Sequence, residues 1–517
     1  MDLGHFYRRN AKLYPNKTVF IYKDKRITFK EFNERVNRLI NAISDMAIEK
    51  GDRVAIISKN CHQYFEVYGV AEKGGRIIVP LNFRLAGKEL AYQINDSEAK
   101  VLFVSQEYLD TIDSIRSDLK TVKNFICIGD KPQYMENYEE VVSRYPADEP
   151  DVDINEDDIV YLLYTSGTTG LPKGVTLTHR ANVENAKCFT IELGIRRDDI
   201  TMDMLPIWHV GSRSFAIMAF QKGCTHVIMD EFDPLATLEI IEKEKVTILP
   251  LIPTTLAFLV DSTNIEKYDL SSLRLIHYAG SPMPLALLKK AVKKFGNIFF
   301  QSYGQTESGP LISVLSKEDH IWEGCDEEVE RLTSVGVPIP YVDVRIVDQQ
   351  SNDLSSGEVG EIIVKSDHIM KGYWKNPEMT AETIKDGWLY TGDMGKFDEK
   401  GYIYIVDRRK DMIISGGENI FSREVEEVLY THPSVLEAAV IGVPDEKWGE
   451  SVKALIVLKK GKKATEEEII EYCKRNLTSY KKPKSVEFMD SLPKNPTGKI
   501  LKRELREKYW KGYERKI

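Results

Sequence analysis

Cysteine is scarce in this chain: six in 517 residues, at positions 61, 127, 188, 224, 325 and 473, with no Cys-x-x-Cys pair. Such spacing argues against a disulfide framework and against a zinc centre, and leaves the cysteines as small apolar residues expected inside a cytoplasmic, reducing-compartment protein. Long apolar runs are missing too. The N-terminal stretch Met1-Asp2-Leu3-Gly4-His5-Phe6-Tyr7-Arg8-Arg9 has no signal-peptide core, and the most apolar later window, 247–260, carries two prolines. No integral membrane association is expected. Nor is there a repeat period or a low-complexity tract. With 71 Lys and Arg against 80 Asp and Glu, the formal charge is −9, which does not favour a nucleic-acid partner. None of the Gly-Lys pairs at 87–88, 395–396, 461–462 and 498–499 is followed by Ser or Thr, so a Walker loop is absent.

What the chain does contain is enough apolar material, 42% of residues, for ordinary globular cores, and too much length for one of them. Charge is unevenly spread. From Arg408 onward there are 24 basic against 18 acidic residues, about +6, and the remainder carries about −15. Solvated lysines on helices such as 501–511 are the plain explanation. Short β-branched runs at 54–58, 101–104, 159–163, 246–251 and 274–278 alternate with longer amphipathic stretches, the pattern of α/β layers with largely parallel sheets. Ligands of such folds bind at the carboxyl ends of strands. Between 341 and 406 the pattern changes to short strands and turns, and after 407 to helix, strand, strand, helix. The expected architecture is therefore α/β: a large domain over 1–407 of layered α/β sheets with a β-rich subdomain at about 341–406, then a small α+β domain over 408–517.

The strongest local feature is Tyr164-Thr165-Ser166-Gly167-Thr168-Thr169-Gly170-Leu171-Pro172-Lys173-Gly174-Val175, directly after the apolar run 159–163. Glycines let backbone N–H groups face an anion, hydroxyls add donors and one lysine adds charge, so the segment suits a nucleotide polyphosphate.

Together with Leu205-Pro206-Ile207-Trp208-His209, Ala279-Gly280-Ser281-Pro282, Tyr303-Gly304-Gln305-Thr306-Glu307, Tyr390-Thr391-Gly392-Asp393, Asp407 to Ile420 and Pro496-Thr497-Gly498-Lys499, this segment makes nearly the whole chain resemble the acyl-adenylate-forming superfamily of acyl-CoA synthetases, aryl-CoA ligases, carrier-loading adenylation domains and luciferase. The resemblance implies a two-step reaction. A carboxylate first attacks the α-phosphate of Mg-ATP, giving acyl-AMP and pyrophosphate, and a thiol then displaces AMP. Both steps rest on positioning and charge stabilisation.

By the same resemblance, Thr165, Ser166, Gly167, Thr168, Thr169, Gly170 and Lys173 hold the phosphates, and Glu307, with Thr165 beside it, provides the Mg²⁺ ligand, a hard oxygen donor. Thr306 donates to the α-phosphate. Gly280, Ser281 and Tyr303 correspond to the adenine slot, with Pro282, Ser302, Gly304 and Gln305 as further cofactor-binding candidates, while Asp393 and Arg408 meet the ribose hydroxyls. Lys499 bridges the substrate carboxylate and the α-phosphate during adenylation. Lys410 is the pivot of the Asp407 to Lys410 hinge about which the small domain is mobile, and Gly416 and Gly417 line the pantetheine tunnel of coenzyme A. Trp448 and Glu450 belong to a further stretch familiar from CoA ligases. Taken singly, Glu307 and Asp393 would read as solvated carboxylates or turn residues; only their motifs single them out.

His209, Gly211, Ser212, Tyr278, Ala279, Gly304, Gly309 and Pro310 are the candidates for the acyl pocket, with His209 equally readable as a core histidine. Three residues depart from common family patterns. Ser302 replaces a glycine and Ser422 a proline. Arg213 stands where an apolar residue is usual and counts against a simple apolar tunnel unless it faces solvent. The expected function is an AMP-forming acyl-CoA synthetase acting on a small carboxylic acid with ATP, Mg²⁺ and coenzyme A, as monomer or homodimer. An acyl-AMP ligase feeding a separate carrier protein is the rival enzyme, and a nucleotide-binding regulatory module the rival of another class.

Overall fold

The computed structural model describes all residues except 166–170, 263–264, 282, 495–499 and 512–517. Packing divides the chain into two units, Met1–Val344 with Val364–Leu389, and Arg345–Ile363 with Tyr390–Ile517.

Two large sheets build the first unit. In one of nine strands, Thr18–Tyr22, Thr225–Ile228, Ile200–Asp203, Ile248–Leu251, Leu275–Tyr278 and Phe299–Gln305 run parallel as neighbours, and Gly309–Leu315 folds back antiparallel onto the last of them. The other, of eight strands, has a parallel core of Arg53–Ile57, Ile77–Pro80, Ala99–Ser105, Asn124–Ile128 and Ile159–Thr165, finished by the antiparallel Lys173–Thr178 and Gly372–Tyr373. The parallel expectation holds for the strands whose both faces are covered, as their continuous Val, Ile and Leu runs require. Helices start where the sequence supplies caps. Thr28 and Glu31 form a reciprocal capping box ahead of Phe29–Asp45, and Thr178 Oγ1 accepts from Ala181 N at 3.1 Å ahead of His179–Glu192.

In the second unit, Gly449–Leu458 pairs antiparallel with Val435–Asp445 and parallel with Ser485–Phe488, and helices Ser422–Tyr430 and Glu466–Asn476 cover an apolar core around Val440, Ala454 and Ile456. The expected helix, strand, strand, helix order is present. Trp388–Phe397 and Ile403–Arg408 are strands as well, paired with Asp393 opposite Arg408.

Two expectations are corrected here. Five cysteines are buried, but Cys325 is exposed at the start of the acidic helix Asp326–Arg331, which packs no apolar face into the core. The C-terminal helix is the shorter Lys502–Glu507, and Lys502 is not a solvated lysine. Its ammonium lies 2.7 Å from Glu426 and donates to Ser422 Oγ at 2.6 Å. Burial alone would lower its pKa, and Glu426, Asp407 and Asp411 outweigh that.

Candidate active site

The strands Ile159–Thr165 and Lys173–Thr178 pair so that Thr165 stands opposite Lys173 at the loop end of the hairpin. The phosphate-loop candidates Ser166, Gly167, Thr168, Thr169 and Gly170, together with Pro282 and Lys499, lie outside the described residues. Lys173 Nζ is 3.3 Å from Glu307 Oε1, and Thr165 Oγ1 donates to the same oxygen at 3.5 Å. A third group, not anticipated from sequence, completes the cluster: Tyr373 OH donates to Glu307 Oε1 at 3.2 Å, while Lys173 bonds to that hydroxyl and lies 4.1 Å from the ring centroid. Burial, and then Glu307, push the Tyr373 phenol far above its usual range, so it stays a neutral donor.

Glu307 reaches this cluster because of the turn that carries it. Phe299–Gln305 and Gly309–Leu315 are antiparallel, and Gln305 N donates to Ser308 Oγ at 2.9 Å across the tip. Gly304 is needed there, since a Cβ would lie 2.4 Å from the carbonyl carbon of Pro310. Thr306 sits at that tip, Tyr303 is buried just before it, and Ser302 Oγ is tied to His277 Nε2 at 2.8 Å. Gly280 and Ser281 are exposed at the end of Leu275–Tyr278, with Ala279 half-buried beside them and Tyr278 fully buried, its hydroxyl 3.0 Å from His320 Nε2.

His209 caps the helix Val210–Lys222, its Nδ1 accepting from Gly211 N at 3.2 Å. Burial lowers its pKa to about 4, so the ring is neutral at pH 7. Gly211 and Ser212 follow in the first turn. Arg213 does not face solvent, which corrects one of the two expectations for it. It is 4% exposed, with Nε 3.0 Å from Glu72 Oε1 and the guanidinium 4.2 Å from the Tyr68 ring centroid. Burial would lower the guanidinium's pKa, and Glu72 reverses that and keeps it charged. Tyr7 and Tyr161 donate to the same carboxylate. Paired in this way, Arg213 offers no free charge to a substrate and is no obstacle to an apolar one.

In the second unit, Asp393 is buried with Arg408 Nε at 3.3 Å. Lys410 O accepts from Arg506 at 3.3 Å, and Arg506 also pairs with Asp411 at 2.7 Å. Ser422, where a proline is common, donates its backbone N–H and its hydroxyl to Asp407, the latter at 2.8 Å. Proline could make neither bond. Gly416 and Gly417 both have positive φ, +63° and +86°. A Cβ on Gly416 would lie 2.6 Å from the Trp448 indole, whereas one on Gly417 would meet nothing within 4 Å. Trp448 holds Gly416 through its carbonyl at 2.8 Å. Glu450 is buried near Gly442, where a Cβ would lie 2.1 Å from its carboxylate.

The residues near the loop fit Mg²⁺. Among the described residues no group of three or more His, Cys, Asp or Glu is arranged to hold a metal ion, and Mg²⁺ characteristically takes one or two carboxylates, with water and phosphate oxygens supplying the rest. Glu307 offers one such carboxylate, with the Thr165 hydroxyl 3.5 Å away.

A cation, a carboxylate and hydroxyls converge beside a glycine-rich loop on a two-sheet α/β body, and comparison with known proteins agrees with that geometry. The family model described as "AMP-binding enzyme" matches residues 7–374, and the one described as "AMP-binding enzyme C-terminal domain" matches 424–499. The chain belongs to this family, the acyl-adenylate-forming enzymes. It is 36% identical to a feruloyl-CoA synthase of Amycolatopsis, over 98% of this chain and 99% of that protein. It is also 36% identical to a long-chain-fatty-acid–CoA ligase of Mycobacterium tuberculosis, over 98% of each. Among solved structures, the o-succinylbenzoate CoA synthetase of Bacillus subtilis with its acyl-adenylate intermediate superposes with a TM-score of 0.85 at 32% identity, over 97% of this chain and 98% of that one.

Proposed function

We propose that the protein is an AMP-forming acyl-CoA synthetase that activates a carboxylic acid through an acyl-adenylate. The observation that carries this reading is the convergence of Lys173, Thr165 and Tyr373 on Glu307 at the mouth of the phosphate loop. In the first step a carboxylate oxygen bonds to the α-phosphorus and the bond to pyrophosphate breaks. Lys173 neutralises phosphate charge, Glu307 and Thr165 hold Mg²⁺, which when bound supplies electrostatic stabilisation of the phosphates, and Thr306 donates to the α-phosphate. Tyr303, with Gly280 and Ser281, receives the adenine, and Asp393 and Arg408 the ribose. Lys499 places its charge between the two reacting anions.

In the second step the thiol sulfur of coenzyme A bonds to the acyl carbon, the carbon–oxygen bond to AMP breaks and the thiol proton is released. Gly416 and Gly417 serve this step, beside Trp448. Lys410 is the pivot of the movement between steps, and the mobile part begins at residue 408. The acyl group is received around His209, Gly211, Ser212, Gly309 and Pro310. No described helix is long and apolar enough to cross a membrane; we place the enzyme in the cytoplasm, as monomer or homodimer.

The test is a panel of carboxylic acids scored for AMP formation with ATP, Mg²⁺ and coenzyme A, and again with a carrier protein in place of coenzyme A. Acid-dependent AMP and thioester with coenzyme A is the expected result. Thioester on the carrier alone would move the assignment to an acyl-AMP ligase. No acid-dependent pyrophosphate release at all would overturn both.

A further inference from the structure

The short segment 370–374 is bonded both to the strand that begins at Lys173 and to the turn that carries Glu307. Towards the strand, Lys371 N donates to Thr176 O at 2.9 Å, Thr176 Oγ1 to Gly372 O at 2.7 Å and Trp374 N to Gly174 O at 2.7 Å. Towards the turn, Met370 N donates to Glu307 O at 2.7 Å. Successive side chains of a strand point to opposite faces. Trp374 donates its indole N–H to Asp96 O at 3.0 Å, and Tyr373, buried, reaches Lys173 and Glu307. The backbone of Tyr373 is itself fixed, its N–H donating to Thr380 Oγ1 at 2.9 Å.

The Tyr373 hydroxyl thus meets two opposite charges. It accepts from Lys173 Nζ and donates to Glu307 Oε1 at 3.2 Å, while Nζ and Oε1 are 3.3 Å apart. A neutral phenol can do both at once, whereas a carboxylate could only accept and an ammonium only donate. Because Lys173 gives its hydrogen bond to the hydroxyl, it does not close on the carboxylate to the distance of about 2.8 Å usual for a hydrogen-bonded ion pair. Partly buried charges that pair directly must be separated, at a cost, before either can serve a new ligand. Lys173, Thr165 and Tyr373 all meet Oε1, and none of them donates to Oε2. The carboxylate is thereby held by one oxygen and leaves the other to a hard cation.

Resting on the synthetase reading above, we propose that Tyr373 is a positioning residue for Mg-ATP: its hydroxyl keeps Lys173 from closing on Glu307 before the nucleotide binds and fixes the Glu307 carboxylate, so that the lysine is available to the phosphates and the carboxylate to the metal. Its effect belongs to nucleotide binding and adenylation, and the thiol step does not draw on it.

Tyr373→Phe keeps the ring and every backbone bond and removes only the hydroxyl. Calorimetric titration of ATP with Mg²⁺ into the protein, without acid or coenzyme A, should show an affinity about tenfold weaker than wild type, as expected for the loss of one hydrogen bond to a charged group. KM for Mg-ATP in adenylation should rise by a similar factor with kcat changed by less than about threefold, and thioester formation from preformed acyl-AMP should be unaffected. In a double-mutant cycle, Tyr373→Phe should cost little once Glu307→Gln is present, because the hydroxyl acts through that carboxylate. Thr176→Val, which weakens the same strand pairing without touching the cluster, should lower the melting temperature and leave the Mg-ATP affinity within about twofold of wild type. Wild-type affinity in Tyr373→Phe overturns the proposal and leaves the synthetase reading standing. Additive losses in the cycle, an equal loss of affinity in Thr176→Val, or failure of Tyr373→Phe to fold would make the hydroxyl a structural bond only and overturn the proposal as well. If the wild type neither binds Mg-ATP nor releases pyrophosphate with any acid, the synthetase reading falls and this proposal with it.

Discussion

In the first unit the buried titratable side chains are kept neutral or tied in small groups. Burial pushes His179, His209, His320 and His368 down to about 4 and His277 to about 3, and the buried charge of Arg213 is met by Glu72. The second unit, whose single histidine is His432, concentrates charge instead. Burial raises the pKa of Asp407 and of Glu426, while Asp411, which burial alone would raise, is lowered by Lys502 and Arg506. Three carboxylates thus depend on Lys502, with Arg506 assisting at Asp411. The difference shows where each unit is vulnerable: one to protons, the other to the loss of one cation.

The largest effect follows from removing that cation. Lys502→Ala leaves buried carboxylates without their ammonium and should destabilise the second unit by about 3–5 kcal/mol, with Lys502→Arg much milder. Hydrogen exchange resolved by segment is the measurement, and the protection lost should lie in 403–507 and spare the two large sheets. Uniform loss across both units would break the comparison.

Next in size is Glu307→Gln. A neutral amide is a weaker ligand for a hard cation and leaves Lys173 without its counter-charge, so adenylation should slow by about 10²-fold while the fold is retained. Pyrophosphate exchange at ordinary Mg²⁺ checks this. A wild-type rate would remove Glu307 from its role.

The smallest effect per residue is on acid stability, and it sharpens the contrast. A histidine whose folded pKa lies below its unfolded value of about 6.5 binds fewer protons when folded, so stability is full above that value and is lost as pH falls from about 6.5 towards about 4. At pH 5.5 each of the five should cost about 1 kcal/mol. The first unit should therefore lose protection between pH 7 and pH 5.5 well before the second, as pH-dependent exchange would record. His368→Gln should remove about one fifth of that slope.

Much of this was legible in the sequence, and the exceptions share a physical cause. The parallel strands were readable because β-branched runs buried on both faces have no polar alternation, and the loop at 164–175 because its hydroxyls, glycines and lysine are contiguous. Tyr373 was not. It lies 200 residues from Lys173 and belongs to a two-residue strand, and only its pairing opposite Val175 brings it to Glu307. The tripeptide Gly372-Tyr373-Trp374 was the available signal. Arg213 stayed open and Lys502 was misjudged for the same reason: their partners Glu72 and Glu426 lie 141 and 76 residues away, and charge patterning along a chain does not reveal pairing across it.

The two-step account is tested most directly by single-turnover kinetics from both starting points, ATP plus acid and preformed acyl-AMP plus coenzyme A, in Lys499→Ala and Gly417→Leu. Loss of a preorganised cation should slow adenylation by Lys499→Ala about 10²- to 10³-fold, or about 3–4 kcal/mol, and leave thioester formation from acyl-AMP nearly intact. Gly417 has open space where a Cβ would go, but a positive φ, so Leu strains the loop by about 1 kcal/mol and fills the path assigned to the thiol. It should do the reverse, sparing adenylation and abolishing thioester formation. Opposite losses in the two variants are the predicted result; equal losses of both steps in either folded variant would contradict the assignment of separate residues to the two half-reactions.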